Sequence, residues 1–221
     1  MRTVIFAIGF MCCLTHPLFA QKDGTGNKQS KGATKEQVLT DLEIGSEIPL
    51  ANMELTPVLA VGSQQHIKLQ DQKTKNGLIV MFSCNTCPFV KKAVVHTAEI
   101  MAYAREKNIG MVIVNSNEAT RHDGESEQDM IDYATKNNYT VPYVIDMGSR
   151  LADFFGATHT PEVFLFNGEG KLIYKGAMED NPSDPDKSSH FYLKEASVLM
   201  LENGHYEPQV TKSLGCSIKR K

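Results

Sequence analysis

The chain has 221 residues, of which 41% are hydrophobic and 22% charged, and its formal net charge is −3. This composition is typical of a folded globular protein and excludes disordered and collagen-like chains. The slightly acidic balance provides no general attraction to a polyanion, so we expect no nucleic acid partner. Five cysteines are few for a fold of this length held together by disulfides, and any cysteine outside a leader segment therefore raises a question of chemistry.

The first twenty residues have the pattern of a secretory signal peptide. Arg2 precedes an apolar run over residues 4–14, and Ala20 ends the segment before polar Gln21. The run is shorter than the ~20 residues of a membrane helix, so we expect no membrane span after cleavage, with a retained anchor as the alternative. These residues predict a secreted or periplasmic protein that begins with a flexible polar spacer at 21–37.

The rest of the chain predicts one α/β domain over residues 38–210 and a C-terminal tail over 211–221. Short apolar pieces before residue 69 indicate an antiparallel β-hairpin extension. Strands then alternate with helices, which predicts a mixed central sheet flanked by helices on both faces. The predicted strands are 78–82, 110–114, 144–145, 163–166 and 171–175, and the predicted helices are 88–106, 126–136, 150–155 and 189–201.

Two cysteines, Cys84 and Cys87, lie where the first buried strand leads into a helix. A turn of this kind places both sulfurs within bonding range, and a helix N-terminus stabilises a thiolate. We therefore predict a redox-active pair in which Cys84 attacks a partner disulfide and Cys87 resolves the mixed disulfide. Two weaker interpretations are a structural disulfide and half of a zinc site.

Thr160 and Pro161 stand directly before the predicted strand 163–166. A proline at the start of a central strand needs a structural reason, and a cis peptide bond would provide one. That geometry would direct the backbone of Thr160 toward the thiols and keep the turn open for an extended substrate chain. We expect Thr160 and Pro161 to line a substrate groove.

Together these segments resemble the thioredoxin-like redoxin superfamily over roughly residues 45–202. Residues 82–90 (FSCNTCPFV), 114–117 (VNSN) and 215–219 (GCSIK) are similar to its peroxiredoxin-like branch, the alkyl hydroperoxide reductase and thiol-specific antioxidant proteins. The resemblance implies a thioredoxin-like fold, a redox-active cysteine pair and a cis-proline, here Pro161. One departure is the serine before the first cysteine, where thioredoxins have tryptophan.

The leading functional interpretation is a thiol–disulfide oxidoreductase without a cofactor, whose partners are protein thiols or disulfides or a thiol reductant. An alternative is a thiol peroxidase that reduces peroxide. In that mechanism Cys87 becomes the sulfenic acid, and Cys84 or the candidate resolving residue Cys216 condenses with it. Arg121 or Arg150 would then supply the arginine that peroxiredoxins place in the peroxide pocket.

A third interpretation is a binding function rather than catalysis. Cys84, Cys87 and His159 would converge on Cu(I), a soft metal that favours thiolate ligands. This arrangement resembles that of copper-delivery proteins of similar fold, although their cysteines are spaced one residue further apart. Outside this alternative we predict no metal site.

Overall fold

The computed structural model describes residues 41–59 and 65–221, and the predicted signal peptide and spacer lie outside this part of the chain. The described elements confirm an α/β fold with a mixed central sheet. No described helix is long and apolar enough to cross a bilayer. In chain order, the strands are β1 (Pro57–Leu59), β2 (Leu78–Ser83), β3 (Gly110–Asn115), β4 (Tyr143–Ile145), β5 (His159–Thr160), β6 (Glu162–Phe166), β7 (Leu172–Gly176) and β8 (Cys216–Ser217), and the helices are α1 (Leu69–Gln72), α2 (Pro88–Lys92), α3 (Val94–Glu106), α4 (Glu127–Lys136), α5 (Arg150–Phe155) and α6 (Tyr192–Leu201).

The central sheet has the strand order β1–β4–β3–β2–β6–β7, and β5 and β8 form a separate two-stranded ribbon. β2, β3 and β4 run parallel, whereas β1 and β6 are antiparallel to their neighbours and β7 completes a hairpin with β6. Every residue of β2 is buried, which is why this strand is a continuous apolar run rather than an alternating one. The cysteine turn therefore begins at the end of a buried strand in the centre of the sheet.

Side chains of β2 alternate between two hydrophobic cores, because successive residues of a strand point to opposite faces. Ile79 and Met81 pack in the core that contains residues of α3, α4 and α6. Phe82 packs in the other core, where Phe155 of α5 lies edge-on to three phenylalanine rings. The ring centroid of Phe155 is 5.4 Å from that of Phe82, 5.2 Å from that of Phe164 and 5.9 Å from that of Phe166.

The single helix predicted over residues 88–106 is in fact two helices. α2 ends at Lys92 and α3 begins at Val94, and the residue between them, Ala93, has φ −80° and ψ 6°. The Thr97 hydroxyl donates a hydrogen bond of 2.9 Å to the carbonyl oxygen of Ala93. Contacts of this kind often accompany a bend in a helix, and this one lies at the break.

The antiparallel hairpin predicted before residue 69 includes residues 60–64, which lie outside the described residues, and the described residues on either side of them pair with each other through one bridge. Leu55 and Ile67 exchange backbone hydrogen bonds of 2.8 and 3.0 Å. β1 instead joins the edge of the central sheet beside β4. Leu69 begins α1. Ile67 and Leu69 are both buried in the same core, so packing holds this segment against the domain.

The aromatic core predicts a large stability difference between two adjacent residues. Phe155 is 1% exposed and Phe154 is 44% exposed. We expect Phe155→Ala to lower the free energy of unfolding by about 3–5 kcal/mol, because it leaves a cavity among the phenylalanine rings. Phe154→Ala serves as the matched control and should change it by less than about 0.5 kcal/mol. Denaturant unfolding measures both values, and similar losses in the two variants would contradict the packing.

Candidate functional site

The two cysteines lie in the short connection between β2 and α2. Cys84 is 0% exposed and Cys87 is 2% exposed, and both are free thiols. Cys87 occupies the position just before the first helical residue, Pro88. Proline is well tolerated there because its missing N–H would have no partner within the helix. The pair is thus held at the start of a helix and shielded from solvent.

Thr160 contacts both cysteines. The Thr160–Pro161 peptide bond is cis, as the sequence predicts. The Thr160 hydroxyl oxygen is 3.2 Å from Cys84 Sγ. The Thr160 carbonyl oxygen is 3.2 Å from Cys87 Sγ and accepts a hydrogen bond from that thiol when it carries a proton. Both polar groups of this residue are therefore directed at the cysteine pair.

The surroundings favour a thiolate on Cys87 and a thiol on Cys84. The pKa of Cys87 is lowered to about 4, first because the Cys84 thiol donates a hydrogen bond to the Cys87 sulfur. Burial raises this pKa. Hydrogen bonds from the Cys216 thiol and from the backbone N–H groups of Val90 and Cys216 lower it further. The same contact with Cys87, then burial and the charge of Glu125, raise the pKa of Cys84 well above its ordinary value. The two thiols are therefore strongly coupled, and these contacts favour a thiolate on Cys87 over one on Cys84.

A buried carboxylate, Glu125, holds the turn that contains the cysteines. Its oxygens accept hydrogen bonds from the backbone N–H groups of Asn85 (2.9 Å) and Thr86 (3.0 Å). They also accept from the Thr86 hydroxyl at 2.6 Å and from the Asn115 side-chain amide at 2.7 Å. These donors compensate for the burial of the charge, because a buried carboxylate is stable only when it is well hydrogen-bonded.

A second layer of hydrogen bonds connects this turn to the central sheet. The Asn115 amide donates to the Tyr143 hydroxyl oxygen at 3.1 Å, and that hydroxyl donates to the Asn85 side-chain oxygen at 2.9 Å. The Asn85 amide in turn donates to the Gly124 carbonyl oxygen at 3.0 Å. The last residue of β3 and the first residue of β4 therefore connect the turn to the central sheet.

Our sequence interpretation did not identify Glu125. It lies in a polar stretch in which Asp123 and Glu127 are exposed acids, and no local pattern distinguishes the buried residue. The one signal beside it is Gly124, which has φ +79°, and a Cβ on this residue would lie 2.7 Å from the Thr86 side chain. Glycine is required there because the loop passes so close to the cysteine turn.

The groove beside Thr160 is occupied by the protein's own C-terminal segment, rather than left open for a substrate chain. β8 pairs antiparallel with β5, and Thr160 is opposite Cys216. Cys216 packs against the cluster formed by Cys84, Cys87 and Val90. The structure thus brings together all four residues expected at the thiol site, Cys84, Cys87, Thr160 and Pro161, with the candidate resolving residue Cys216.

His159 and the two arginines are placed elsewhere. His159 precedes Thr160 in β5, so its side chain leaves the opposite face of the strand, and its Nδ1 is 2.8 Å from the Thr158 hydroxyl. Among residues 41–59 and 65–221, no three His, Cys, Asp or Glu side chains are arranged to hold a metal ion. The copper site of the third interpretation is therefore not assembled.

The guanidinium of Arg121 is hydrogen-bonded to Asn115 and Glu125 rather than to the cysteine sulfurs. It donates to the Asn115 side-chain oxygen at 3.1 Å and to the Glu125 carbonyl oxygen at 3.0 Å. Arg150 lies beside Met53 and Leu55 in a surface cavity. In the described part of the chain, neither candidate arginine is hydrogen-bonded to a cysteine sulfur.

The role of Glu125 predicts that Glu125→Gln lowers the free energy of unfolding of the reduced protein by about 1–3 kcal/mol, because charge-assisted hydrogen bonds to the turn are lost. The same change should lower the pKa of Cys84, since the carboxylate charge raises it. Denaturant unfolding and thiol titration by absorbance measure the two effects. The neighbouring exposed residue provides the control, and Glu127→Gln should leave both values nearly unchanged.

The hydrogen bond between the sulfurs predicts the pKa of Cys87 in two variants. Cys84→Ala removes the donor and should raise this pKa, whereas Cys84→Ser keeps a hydroxyl donor and should raise it less. The pH dependence of alkylation at Cys87, read by peptide mass spectrometry, gives both values. An unchanged pKa in the alanine variant would show that the neighbouring thiol does not stabilise the thiolate.

Comparison with known proteins gives the same fold. An uncharacterized conserved protein from Geobacillus kaustophilus is 28% identical, with a TM-score of 0.72, and the match covers 81% of this chain and 93% of that chain. A hypothetical protein from Sinorhizobium meliloti is 24% identical, with a TM-score of 0.73 and coverage of 82% and 97%. A thiol-disulfide oxidoreductase from Bacteroides fragilis is 14% identical, with a TM-score of 0.50 and coverage of 68% and 98%.

No curated protein matches the sequence significantly. The redoxin family model matches residues 43–191, which include β2, the cysteine turn, the cis-proline and the strands that position them. The fold is thioredoxin-like, and a family of this kind supports an oxidoreductase function in general. The match spans well over half of the chain, and the protein therefore belongs to the redoxin family.

Proposed function

We propose that the protein is a thiol–disulfide oxidoreductase in which Cys84 and Cys87 exchange disulfides with protein thiols. The observation that carries the proposal is the arrangement of two buried free thiols at the start of α2, with the Thr160 hydroxyl 3.2 Å from Cys84 Sγ and the Thr160 carbonyl oxygen 3.2 Å from Cys87 Sγ. The lowered pKa of Cys87 favours a thiolate at that residue. Redoxin family membership supports redox chemistry in general. The pattern of residues 1–20 supports a secreted or periplasmic location, where disulfides form and persist.

The lowered pKa of Cys87 supports a division of roles that reverses our sequence-based expectation. The Cys87 thiolate attacks one sulfur of a partner disulfide, which forms a mixed disulfide and releases the other partner sulfur as a thiolate. Cys84 then loses its proton and attacks Cys87 Sγ, which breaks the mixed disulfide. The partner leaves as a dithiol after it takes up two protons, and the protein retains the Cys84–Cys87 disulfide.

Peroxide reduction is a second candidate, favoured by the same thiolate at the start of α2. Cys87 would attack one peroxide oxygen, break the O–O bond and become a sulfenic acid, while the second oxygen leaves and is protonated to water. Cys84 would condense with the sulfenic acid and release a second water. The positions of Arg121 and Arg150 weigh against this candidate, because neither is hydrogen-bonded to a cysteine sulfur in the described part of the chain.

Trapping experiments distinguish the roles of the two cysteines. In a Cys216→Ser background, Cys84→Ser should accumulate a mixed disulfide at Cys87 with oxidised glutathione or insulin, because the resolving thiol is absent. The matched variant Cys87→Ser should accumulate far less. Non-reducing peptide mass spectrometry measures both products.

Trapping at Cys84 alone would return the attacking role to that residue. Absence of a mixed disulfide in both variants would contradict thiol–disulfide exchange. Hydrogen peroxide tests the second candidate on the same Cys84→Ser, Cys216→Ser variant. A sulfenic acid that forms at Cys87 much faster than on free cysteine would favour the peroxidase.

A further inference from the structure

We propose that Cys216 is a third redox cysteine, which forms a disulfide with Cys87 and so links the buried pair to the protein surface. The inference rests on the function proposed for that pair and extends it to the C-terminal segment. It follows from the position of β8, from the face on which its thiol lies, and from the difference in exposure between the three cysteines.

β8 is bound to the domain along several consecutive residues. Thr160 is opposite Cys216 and His159 is opposite Ser217 in an antiparallel register. The Ile218 N–H donates to the Thr158 carbonyl oxygen at 2.9 Å. Ile218 is itself only 6% exposed and belongs to the core that contains Phe82. The strand that carries Cys216 is therefore anchored by a buried side chain as well as by backbone pairing.

The residues after β8 add polar contacts with the loops around the site. The Lys219 N–H donates to the Asn117 side-chain oxygen at 2.9 Å. Arg220 Nε is 2.7 Å from an Asp153 carboxylate oxygen, in a pair that is largely shielded from solvent. These contacts leave little freedom for the strand to slide along β5, so the register at Thr160 is well determined.

A glycine permits this close approach. A Cβ on Gly215 would lie only 2.1 Å from the Thr160 carbonyl oxygen. Every other residue type would push β8 away from the cis-proline turn, since real Cβ atoms do not approach a carbonyl oxygen so closely. The residue before Cys216 is thus suited to place that cysteine against the pair.

The register directs the Cys216 thiol to the reactive side of the ribbon. Directly opposed residues in an antiparallel pair have their side chains on the same face, with Cβ atoms about 4.5–5.5 Å apart. The side chain of Thr160 on that face contacts Cys84 Sγ at 3.2 Å. Cys216 accordingly packs against Cys84 and Cys87, whereas exposed Ser217 lies on the opposite face.

The three cysteines differ in access to solvent. Cys84 and Cys87 are 0% and 2% exposed, so a partner has less access to them than to Cys216 in this conformation. Cys216 is partly exposed. A thiol that contacts both the buried pair and the solvent can transfer a disulfide between them without any opening of the central sheet.

The transfer begins from the oxidised protein, which contains the Cys84–Cys87 disulfide. Cys216 loses its proton and attacks Cys87 Sγ; the Cys87–Cys216 bond forms, the Cys84–Cys87 bond breaks, and Cys84 takes up the proton. No electrons are gained or lost in this step. An external dithiol then attacks the Cys216 sulfur and releases Cys87 as a thiolate. Its second thiol completes the reduction, which leaves the reductant as a disulfide and Cys216 as a thiol.

The pKa of Cys216 depends on the redox state of the pair. Burial and then the Cys87 sulfur raise this pKa to about 11 in the reduced protein. The contribution of Cys87 as a charged neighbour disappears once Cys87 is part of a disulfide. Cys216 therefore ionises more readily in the oxidised protein, the state in which its attack on Cys87 is required.

The test uses the Cys84→Ser variant with Cys216 present, treated with oxidised glutathione. The glutathione adduct at Cys87 should be short-lived and be replaced by a Cys87–Cys216 disulfide, which non-reducing peptide mapping detects. A stable glutathione adduct at Cys87 without this cross-link would overturn the proposal. No reaction at Cys87, even after Cys216→Ser is added, would instead overturn the function proposed for the pair.

Moving the thiol by one residue provides a control for the register. In the Cys84→Ser background, Cys216→Ser combined with Ser217→Cys places the thiol on the opposite face, and no cross-link to Cys87 should form. A cross-link of equal yield would show that the tail is mobile and that β8 does not direct the reaction.

In the otherwise wild-type protein, Cys216→Ser should slow the reduction of the Cys84–Cys87 disulfide by dithiothreitol by about tenfold or more, because the exposed attack site is lost. Ser217→Ala should leave the rate unchanged. Equal rates for wild type and Cys216→Ser would overturn the transfer.

Discussion

Two sulfurs buried side by side cannot both carry a negative charge, and the whole site is arranged around the single proton that they share. In water a thiol of ordinary pKa is mostly protonated at neutral pH. Here the proton on Cys84 stabilises the charge on Cys87 through a hydrogen bond, so each residue sets the proton affinity of the other. Strand β2 strengthens this coupling, because it ends just before Cys84 and so places that cysteine in the buried interior of the fold.

Glu125 adds to the difference in pKa between the two sulfurs. A third negative group near two thiols would be unfavourable if it faced both of them equally. Its oxygens are instead occupied by donors from Asn85, Thr86 and Asn115, and its remaining influence is to raise the pKa of Cys84. Glu125 thus both stabilises the turn and favours a protonated Cys84. A change in this residue therefore affects the stability of the loop and the pKa of Cys84 together.

The parts of the fold that the sequence predicted are those encoded locally. The apolar run of β2, the two short strands that become β6 and β7, and the helix α4 each follow from neighbouring residues. The cysteine turn and the proline before β6 were recognisable for the same reason. The break at Ala93 and the burial of Glu125 depend on contacts that form only in three dimensions. The docking of β8 onto β5 joins residues more than fifty positions apart, and no periodicity within either segment reveals it.

The two-residue ribbon of β5 and β8 has a consequence for behaviour in solution. A strand with unpaired N–H and C=O groups is a template for other extended chains, and such edges promote aggregation unless they are covered. Thr158 and Thr160 would offer an edge of this kind beside reactive sulfur. The C-terminal strand covers it with backbone from the same molecule. Intermolecular strand addition, which could lead to disulfide-linked oligomers at high protein concentration, is thereby disfavoured.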